Sequence, residues 1–328
     1  MNVGLLGAGR IGSLHADTLG RDPRVDHVLV SDPIAQRAAD VSDRVGGTVV
    51  EEPAELLSTC DAVVIASSTD LHERHLVMAA EAGVPAFCEK PIALDLASTD
   101  RAIAAVEASG TPVQMGFNRR FDPEFAAARE AVRAGALGQV LLVIGQHHDH
   151  QPPPVEYVGP SGGQFADQLI HDFDLLRFVT GQEVVAVNAA GSDAGMDMFG
   201  RHGDTAVSVV TLWLDGGTMA TLCGVRMDPL GYDVRMEVFG TEDSIAVGLD
   251  DQTPIRPVNA PAPTSPHREW LPRFGASYAA EMDAFLQVVQ GTAESPCTVA
   301  DARAALMIAT ACRLSLQEGH PVDLKDVS

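Results

Sequence analysis

The chain has 328 residues, a hydrophobic fraction of 46% and a formal net charge of −23, which is enough apolar material for two cores of ordinary size. The acidity argues against partners that need basic patches, so nucleic acid and anionic membrane surfaces are set aside. Cys60, Cys88, Cys223, Cys297 and Cys312 show neither metal-type nor paired spacing, and no apolar run has the length of a membrane span or leader, so reduced thiols and a cytoplasmic location are expected.

Val3 to Leu6 reads as a strand, followed by Gly7-Ala8-Gly9-Arg10-Ile11-Gly12 and a helical run through Leu19. A lone Gly-x-Gly-x-x-Gly is weak, but this one follows a strand and opens a helix, as a dinucleotide fingerprint requires. Gly7 makes the tight turn, Gly9 admits a pyrophosphate to the backbone, and Gly12 lets helix and strand pack closely. The helix N-terminus, at Arg10 and Ile11, holds the phosphates. A second strand, Val25 to Ser31, ends at Asp32, 20 residues beyond Gly12. A carboxylate there accepts from both ribose hydroxyls and repels a 2′-phosphate, pointing to NAD rather than NADP. The competing reading is a turn aspartate before Pro33.

Short strands and single helices then alternate, which implies a parallel, doubly wound sheet. Asp61 to Ala66 is a strand that ends in Ser67 and Ser68, small polar residues placed to line a cofactor. His72, on the helix Asp70 to Ala82, either reaches that cofactor or is a plain helix-surface histidine. The apolar run Val84 to Cys88 leads into Glu89-Lys90-Pro91. Lys90 is one of two lysines against 20 arginines, and Lys, unlike Arg, is a compact donor whose proton affinity burial can move. At the end of a buried strand it stands where open α/β sheets bind ligands; a surface loop lysine is the alternative. Leu94 to Ala108 and Pro112 to Phe117 complete the pattern. The first domain is expected to span 1–118 and the second 119–328.

Asp122-Pro123 reads as an N-cap and first helical residue, opening a helix to Ala134. Arg119 and Arg120 are either salt-bridged structural residues or ligand contacts. A strand Val140 to Ile144 runs into Gln146-His147-His148-Asp149-His150. The three histidines invite a metal reading, but neighbours along an extended chain face opposite ways, so no metal is expected and Asp149 and His150 are taken as pocket-lining. Gln164 to Thr180 reads as one helix with Asp167, His171 and Asp174 on a shared face, an arrangement that orients a histidine for general-base work near neutral pH. Asp172 and Arg177 serve packing. From Glu183 to Gly248, strands without intervening helical periods imply an antiparallel sheet. Tyr232 either projects its hydroxyl into a pocket or is a half-buried sheet tyrosine. Residues 252–268 read as a loop. Two helices, Tyr278 to Gln290 and Val299 to Glu318, close the chain.

Taken together, Gly7–Gly12, Glu89-Lys90-Pro91, Gly116 to Asp122, Ser161-Gly162-Gly163, Asp167-x-x-x-His171-Asp172-Phe173-Asp174-x-x-Arg177 and Gly231-Tyr232-Asp233-x-Arg235 resemble the Gfo/Idh/MocA oxidoreductases over essentially the whole chain, and among them most nearly the inositol 2-dehydrogenases. The resemblance implies an N-terminal Rossmann domain and a C-terminal α/β domain with a large open, mainly antiparallel sheet used for oligomer contacts, in a tetramer or dimer. It also implies a catalytic trio, Lys90, Asp167 and His171, and a cis Lys90-Pro91 peptide. The expected activity is NAD-dependent oxidation of a secondary alcohol of a cyclic polyol or sugar. Lys90 donates to the reacting oxygen, His171 is the base, and Asp149, His150 and Tyr232 bind substrate hydroxyls. The chain departs from the inositol dehydrogenase pattern at His148-Asp149-His150 and Met227-Asp228-Pro229. Another sugar, a sugar acid or a glycoside is therefore the competing substrate, and a non-catalytic NAD sensor or a zinc enzyme the competing class.

Overall fold

The structure, a computed structural model, describes residues 1–259 and 261–327; Ala260, within the loop expected over 252–268, lies outside the described residues. The chain divides into two compact units, residues 1–118 with 277–303, and residues 119–276 with 304–328.

In the first unit, six strands form one parallel sheet: β1 (Asn2–Leu6), β2 (His27–Ser31), β3 (Thr48–Val49), β4 (Ala62–Ile65), β5 (Ala86–Glu89) and β6 (Val113–Gly116), in the order β3-β2-β1-β4-β5-β6. Helices α1 (Arg10–Leu19), α2 (Ala35–Val45), α3 (Pro53–Thr59), α4 (Thr69–Ala82) and α5 (Leu96–Ser109) make the crossovers. All four residues of β4 are buried, as expected of a parallel strand covered on both faces. The strand order reverses between β1 and β4, and the carboxyl ends beside that switch point are where such sheets bind ligands. Met282, Phe285 and Leu286, from the helix Trp270–Val289, pack into the same core as Leu5, Val64 and Phe87. That helix begins well before the expected Tyr278. Pro272 sits in its first turn, where proline is tolerated, and Pro272 with Gly275 had masked the helical period.

The second unit opens with a 3₁₀ turn at Asn118–Phe121 and α6 (Pro123–Arg133). Asp122 caps α6, its Oδ1 accepting from the amides of Glu124 at 3.0 Å and Phe125 at 3.3 Å. Then come β7 (Val140–His148), α7 (Val155–Val158), α8 (Gln164–Asp167), α9 (Ile170–Thr180), β8 (Val184–Ser192), α10 (Asp197–Gly200), β9 (Val207–Leu214), β10 (Met219–Val225), β11 (Asp233–Gly240) and β12 (Ser244–Val247). The chain ends with α11 (Trp270–Val289), α12 (Val299–Glu318) and β13 (Val322–Asp323). The seven-stranded sheet has the order β12-β11-β7-β10-β9-β8-β13. Every pairing is antiparallel except β7 with β10, which run parallel with Leu142 opposite Met219 and Gln146 opposite Cys223. Burial alternates along β9, so one face packs and the other is open. Among the described residues, 252–268 hold turns and bends but no helix or strand, and no helix is long and apolar enough to cross a membrane.

Candidate active site

The glycines after β1 build a cradle whose shape depends on missing side chains. Gly7 has φ +101°, and a Cβ there would lie 2.5 Å from the Ser67 backbone. A Cβ on Gly12 would lie 1.9 Å from the Gly7 carbonyl oxygen, whereas one on Gly9 would meet nothing within 4 Å. Gly9 is the N-cap of α1, with no side chain capping the helix and no acidic residue in its first turn. Arg10 and Ile11 open the helix. Such a cradle can take an anion: it offers free space, amides and the positive end of a ten-residue helix. Asp32 stands beside it. Its Oδ2 accepts from the Ala8 amide at 2.7 Å and its Oδ1 from the Ile34 amide at 2.8 Å. Each carboxylate oxygen keeps acceptor capacity, so the turn role leaves Asp32 able to accept from a ribose as well. The residues present therefore fit a dinucleotide diphosphate and its ribose.

At the end of β4, Ser67 Oγ lies 3.1 Å from His75 Nδ1, and Ser68 is the exposed N-cap of α4. His72 is not a helix-surface residue: it is buried, with Nε2 2.9 Å from the Ser67 carbonyl oxygen and Nδ1 2.8 Å from that of Pro91. The two carbonyls favour a protonated ring, but burial is the larger effect and pulls the His72 pKa down. His72 thus ties the end of β4 to the segment that follows Lys90. Lys90 is half-buried directly after β5, and its peptide bond to Pro91 is cis. Glu89 accepts from His15 Nε2, 2.8 Å away.

In the second unit, the single helix expected over Gln164 to Thr180 is two. It breaks at Gln168 and Leu169, where the Leu169 amide reaches back five residues to the Gln164 carbonyl at 3.0 Å. Asp167 ends α8, and His171, half-buried, lies in the first turn of α9. Asp167 therefore lies on a different helix from His171 and Asp174, which stay three residues apart on α9. Asp174 is buried and accepts a bidentate pair from Arg120 at 2.6 and 2.7 Å.

Asp167 is held on both oxygens, by Arg226 Nη1 at 2.9 Å and by the Tyr157 hydroxyl at 3.0 Å. The same buried Arg226 nitrogen lies 3.6 Å from Asp149 Oδ2, which also accepts from Gln168 Nε2 at 2.8 Å. One guanidinium thus gathers Asp149 and Asp167 into a polar cluster. Burial pushes the Asp149 carboxyl above the usual range and the Asp167 carboxylate pushes the same way, against the pull of His147 and Arg226.

The histidine run splits as its alternation predicts. His147 is buried; its Nδ1 lies 2.7 Å from Asp172 Oδ2, and burial lowers its pKa. His148 turns the other way, onto Asp228 at 3.0 Å, and His150 Nδ1 lies 2.9 Å from the Asp228 carbonyl oxygen. Among the described residues these histidines form no metal-ligand group. Tyr232 is buried just before β11. Its hydroxyl accepts from Arg119 Nη2 at 3.2 Å, and its pKa is pushed up to about 12 by burial. Arg119 also pairs with Asp172 at 3.0 Å. The tandem arginines thus each take one aspartate of α9.

Two family profiles match this chain: the Gfo/Idh/MocA oxidoreductase family with its NAD-binding Rossmann fold over residues 1–117, and the Gfo/Idh/MocA C-terminal domain over 125–246. The chain belongs to the Gfo/Idh/MocA oxidoreductase family. An uncharacterized oxidoreductase of Bacillus subtilis is 37% identical over 98% of this chain and 96% of its own. The scyllo-inositol 2-dehydrogenase (NAD(+)) of the same organism is 33% identical over 98% of this chain and 95% of its own. The crystal structure of a putative myo-inositol dehydrogenase from Sinorhizobium meliloti superposes with a TM-score of 0.92 at 33% identity, covering 99% of both chains.

Sequence reasoning about this Gfo/Idh/MocA oxidoreductase missed Arg226 and Tyr157, the two groups that hold Asp167. Arg226 follows the last residue of β10, so a charged residue at a strand end was the available signal. Tyr157 lies on the one-turn helix α7, just after Pro152-Pro153-Pro154, and nothing local marks it.

Proposed function

We propose that this oxidoreductase oxidises a secondary alcohol of a cyclic polyol to a ketone with NAD, and that inositol is the substrate. The observation that carries the reading is the full-length relationship to a scyllo-inositol 2-dehydrogenase named for NAD(+). Bound NAD supplies the hydride acceptor. The chain supplies position and charge. Gly7, Gly9 and Gly12, with the helix start at Arg10 and Ile11, hold the diphosphate, and Asp32 takes the adenosine ribose. Ser67, Ser68 and Glu89 shape the same strand ends, with His72 acting through its two carbonyl contacts. Residues 1–118, joined by 277–303, form the NAD-binding domain, and the rest of 119–328 the substrate-binding and oligomerisation domain.

Lys90 donates to the reacting alcohol oxygen and stabilises the alkoxide character that develops there. His171 takes the hydroxyl proton. Asp167, fixed by Arg226 and Tyr157, orients the substrate and supports His171, and Asp149 accepts from a neighbouring hydroxyl. His150 and Tyr232 back the pocket. The open face of the large sheet, where Leu142, Ile144, Val207, Val209, Met219 and Cys223 are only half-covered or exposed, is the surface for a dimer or tetramer. Five free cysteines fit a cytoplasmic protein.

A panel of inositols, open-chain polyols, sugars and sugar acids, read by NADH absorbance, tests the substrate class. Inositol is expected to give the highest kcat/KM, and turnover of glycosides or sugar acids alone would replace this reading. Lys90→Arg should keep NAD binding and lose most of kcat; near-normal turnover in that variant removes Lys90 from the mechanism.

A further inference from the structure

Behind the strand end that carries Lys90 lies a cluster of which the mechanism uses only Glu89. Glu281 of α11 has no exposed surface, and neither of its carboxyl oxygens has a hydrogen-bond partner among the described residues. One oxygen each from Glu281 and Glu89 and one ring nitrogen of His15 lie within 4.8 Å of one another. His15, fully buried on α1, has its Nε2 2.8 Å from Glu89 Oε1. Its ring packs on Phe87 at 5.1 Å and lies 6.0 Å from that of Tyr278. On the other side, Gly116 leaves room for Glu89: a Cβ there would stand 2.9 Å from Glu89 Oε2. The Gln114 side chain donates to the Glu281 backbone carbonyl, at 2.8 Å, and not to its carboxyl group.

Two carboxylates in this space share one imidazole, and that imidazole is already engaged with Glu89. A carboxylate with no exposed surface and no donor is strongly disfavoured, whereas a carboxylic acid beside an ionised carboxylate has both a neutral form and an acceptor for its O–H. We propose that Glu281 is a protonated acid at neutral pH, that its O–H donates to Glu89, and that through Glu89 it positions the strand end bearing Lys90. Burial and the Glu89 charge both push the Glu281 carboxyl well above its ordinary range. The groups facing Glu281 are Glu89 from β5 and His15 from α1, with Lys90 the next residue along the chain from Glu89. Glu89 then carries the negative charge of the pair, gripped from two sides by His15 and Glu281. Glu281 is in this sense a positioning residue. The positioning half rests on the Lys90 role proposed above, while the protonation half does not.

The test is infrared difference spectroscopy of the intact protein at pH 7, wild type against Glu281→Gln, together with kcat and NAD affinity for Glu281→Gln and Glu281→Leu. A carboxylic-acid C=O stretch is expected in wild type and absent in the Gln variant. The Gln amide can donate to Glu89 and should preserve most of kcat. Leu, of similar size without a donor, should lose about tenfold in kcat, the scale of one hydrogen bond, with NAD affinity unchanged. No acid band in wild type, Gln as impaired as Leu, or a stoichiometric bound metal that Glu281→Gln loses would each overturn the protonated acid. A fully active Glu281→Leu overturns the positioning role alone. If Lys90→Arg retains full turnover while the band is present, the Lys90 reading fails and the protonated Glu281 stands.

Discussion

Replacing Arg226 with Met removes one guanidinium and leaves two carboxylates facing each other. Its Nη1 is 2.9 Å from Asp167 and 3.6 Å from Asp149. At an effective dielectric near 20, each attraction is on the order of 5 kcal/mol before desolvation. The net cost of removing one partner from such a buried group is about 3–5 kcal/mol. For 150–250 residues that corresponds to a fall in Tm of roughly 6–20 °C. Asp149, whose carboxyl burial already raises, is the group that takes up a proton in the variant. A carboxyl raised in the folded state contributes stability that is present below its unfolded value, about 3.9, and is lost as pH rises through the folded value. Removing Arg226 raises the folded value further, so the Tm deficit of Arg226→Met should be larger at pH 8 than at pH 5. Calorimetry at both pH values, with kcat/KM for inositol and NAD affinity by fluorescence, reads the effect. A large loss of kcat/KM with NAD affinity retained is expected. Wild-type Tm at both pH values with unchanged kcat/KM would refute the claim that Arg226 holds Asp149 and Asp167 in place.

The two glycines of the cradle should respond in different ways. Gly12→Ala drives a Cβ to 1.9 Å from the Gly7 carbonyl oxygen and should cost about 1–3 kcal/mol of stability along with NAD binding. Gly9→Ala, which meets nothing within 4 Å, should melt like wild type yet lose the thermal shift produced by NAD, because its methyl group occupies the space for the diphosphate. Differential scanning fluorimetry with and without NAD separates them. Acid should unfold the protein through its buried histidines. His72, His75 and His147 all have lowered pKa values, His75 down to about 4 chiefly through burial. A lowered value contributes stability that is present above the unfolded value and lost as pH falls through the folded one. Between pH 6.5 and 4, His75 alone accounts for on the order of 3 kcal/mol. Urea titrations should show stability falling below pH 6.5, with a shallower fall in His75→Gln.

Much of the first unit was legible in the sequence because its strands are buried on both faces and so read as unbroken apolar runs; β4 and β5 are examples. The Gly7–Gly12 spacing carried its own geometry, since each missing side chain has a distinct steric reason. The second unit was read less completely. The break at Gln168 and Leu169 has no glycine or proline to announce it, and comes from a Gln164 carbonyl that accepts two amides at 3.0 Å. Arg119 with Asp172, and Arg120 with Asp174, are separated by more than 50 positions in sequence, and only the fold selects those partners. His72 lies on a helix with polar neighbours, so its burial depends on what packs above it. The return of residues 277–303 to the first unit is likewise tertiary information, and with it comes Glu281, which local patterning cannot connect to Glu89.

The central claim, hydride transfer from a cyclic polyol carbon to NAD, is tested most directly with myo-inositol deuterated at every carbon. The protein should reduce NAD with one deuterium appearing in each reduced cofactor, with a slowed rate wherever C–H cleavage limits turnover. Inositol consumed without deuterium in the cofactor, or no reduction of NAD by inositol at all, would contradict the account.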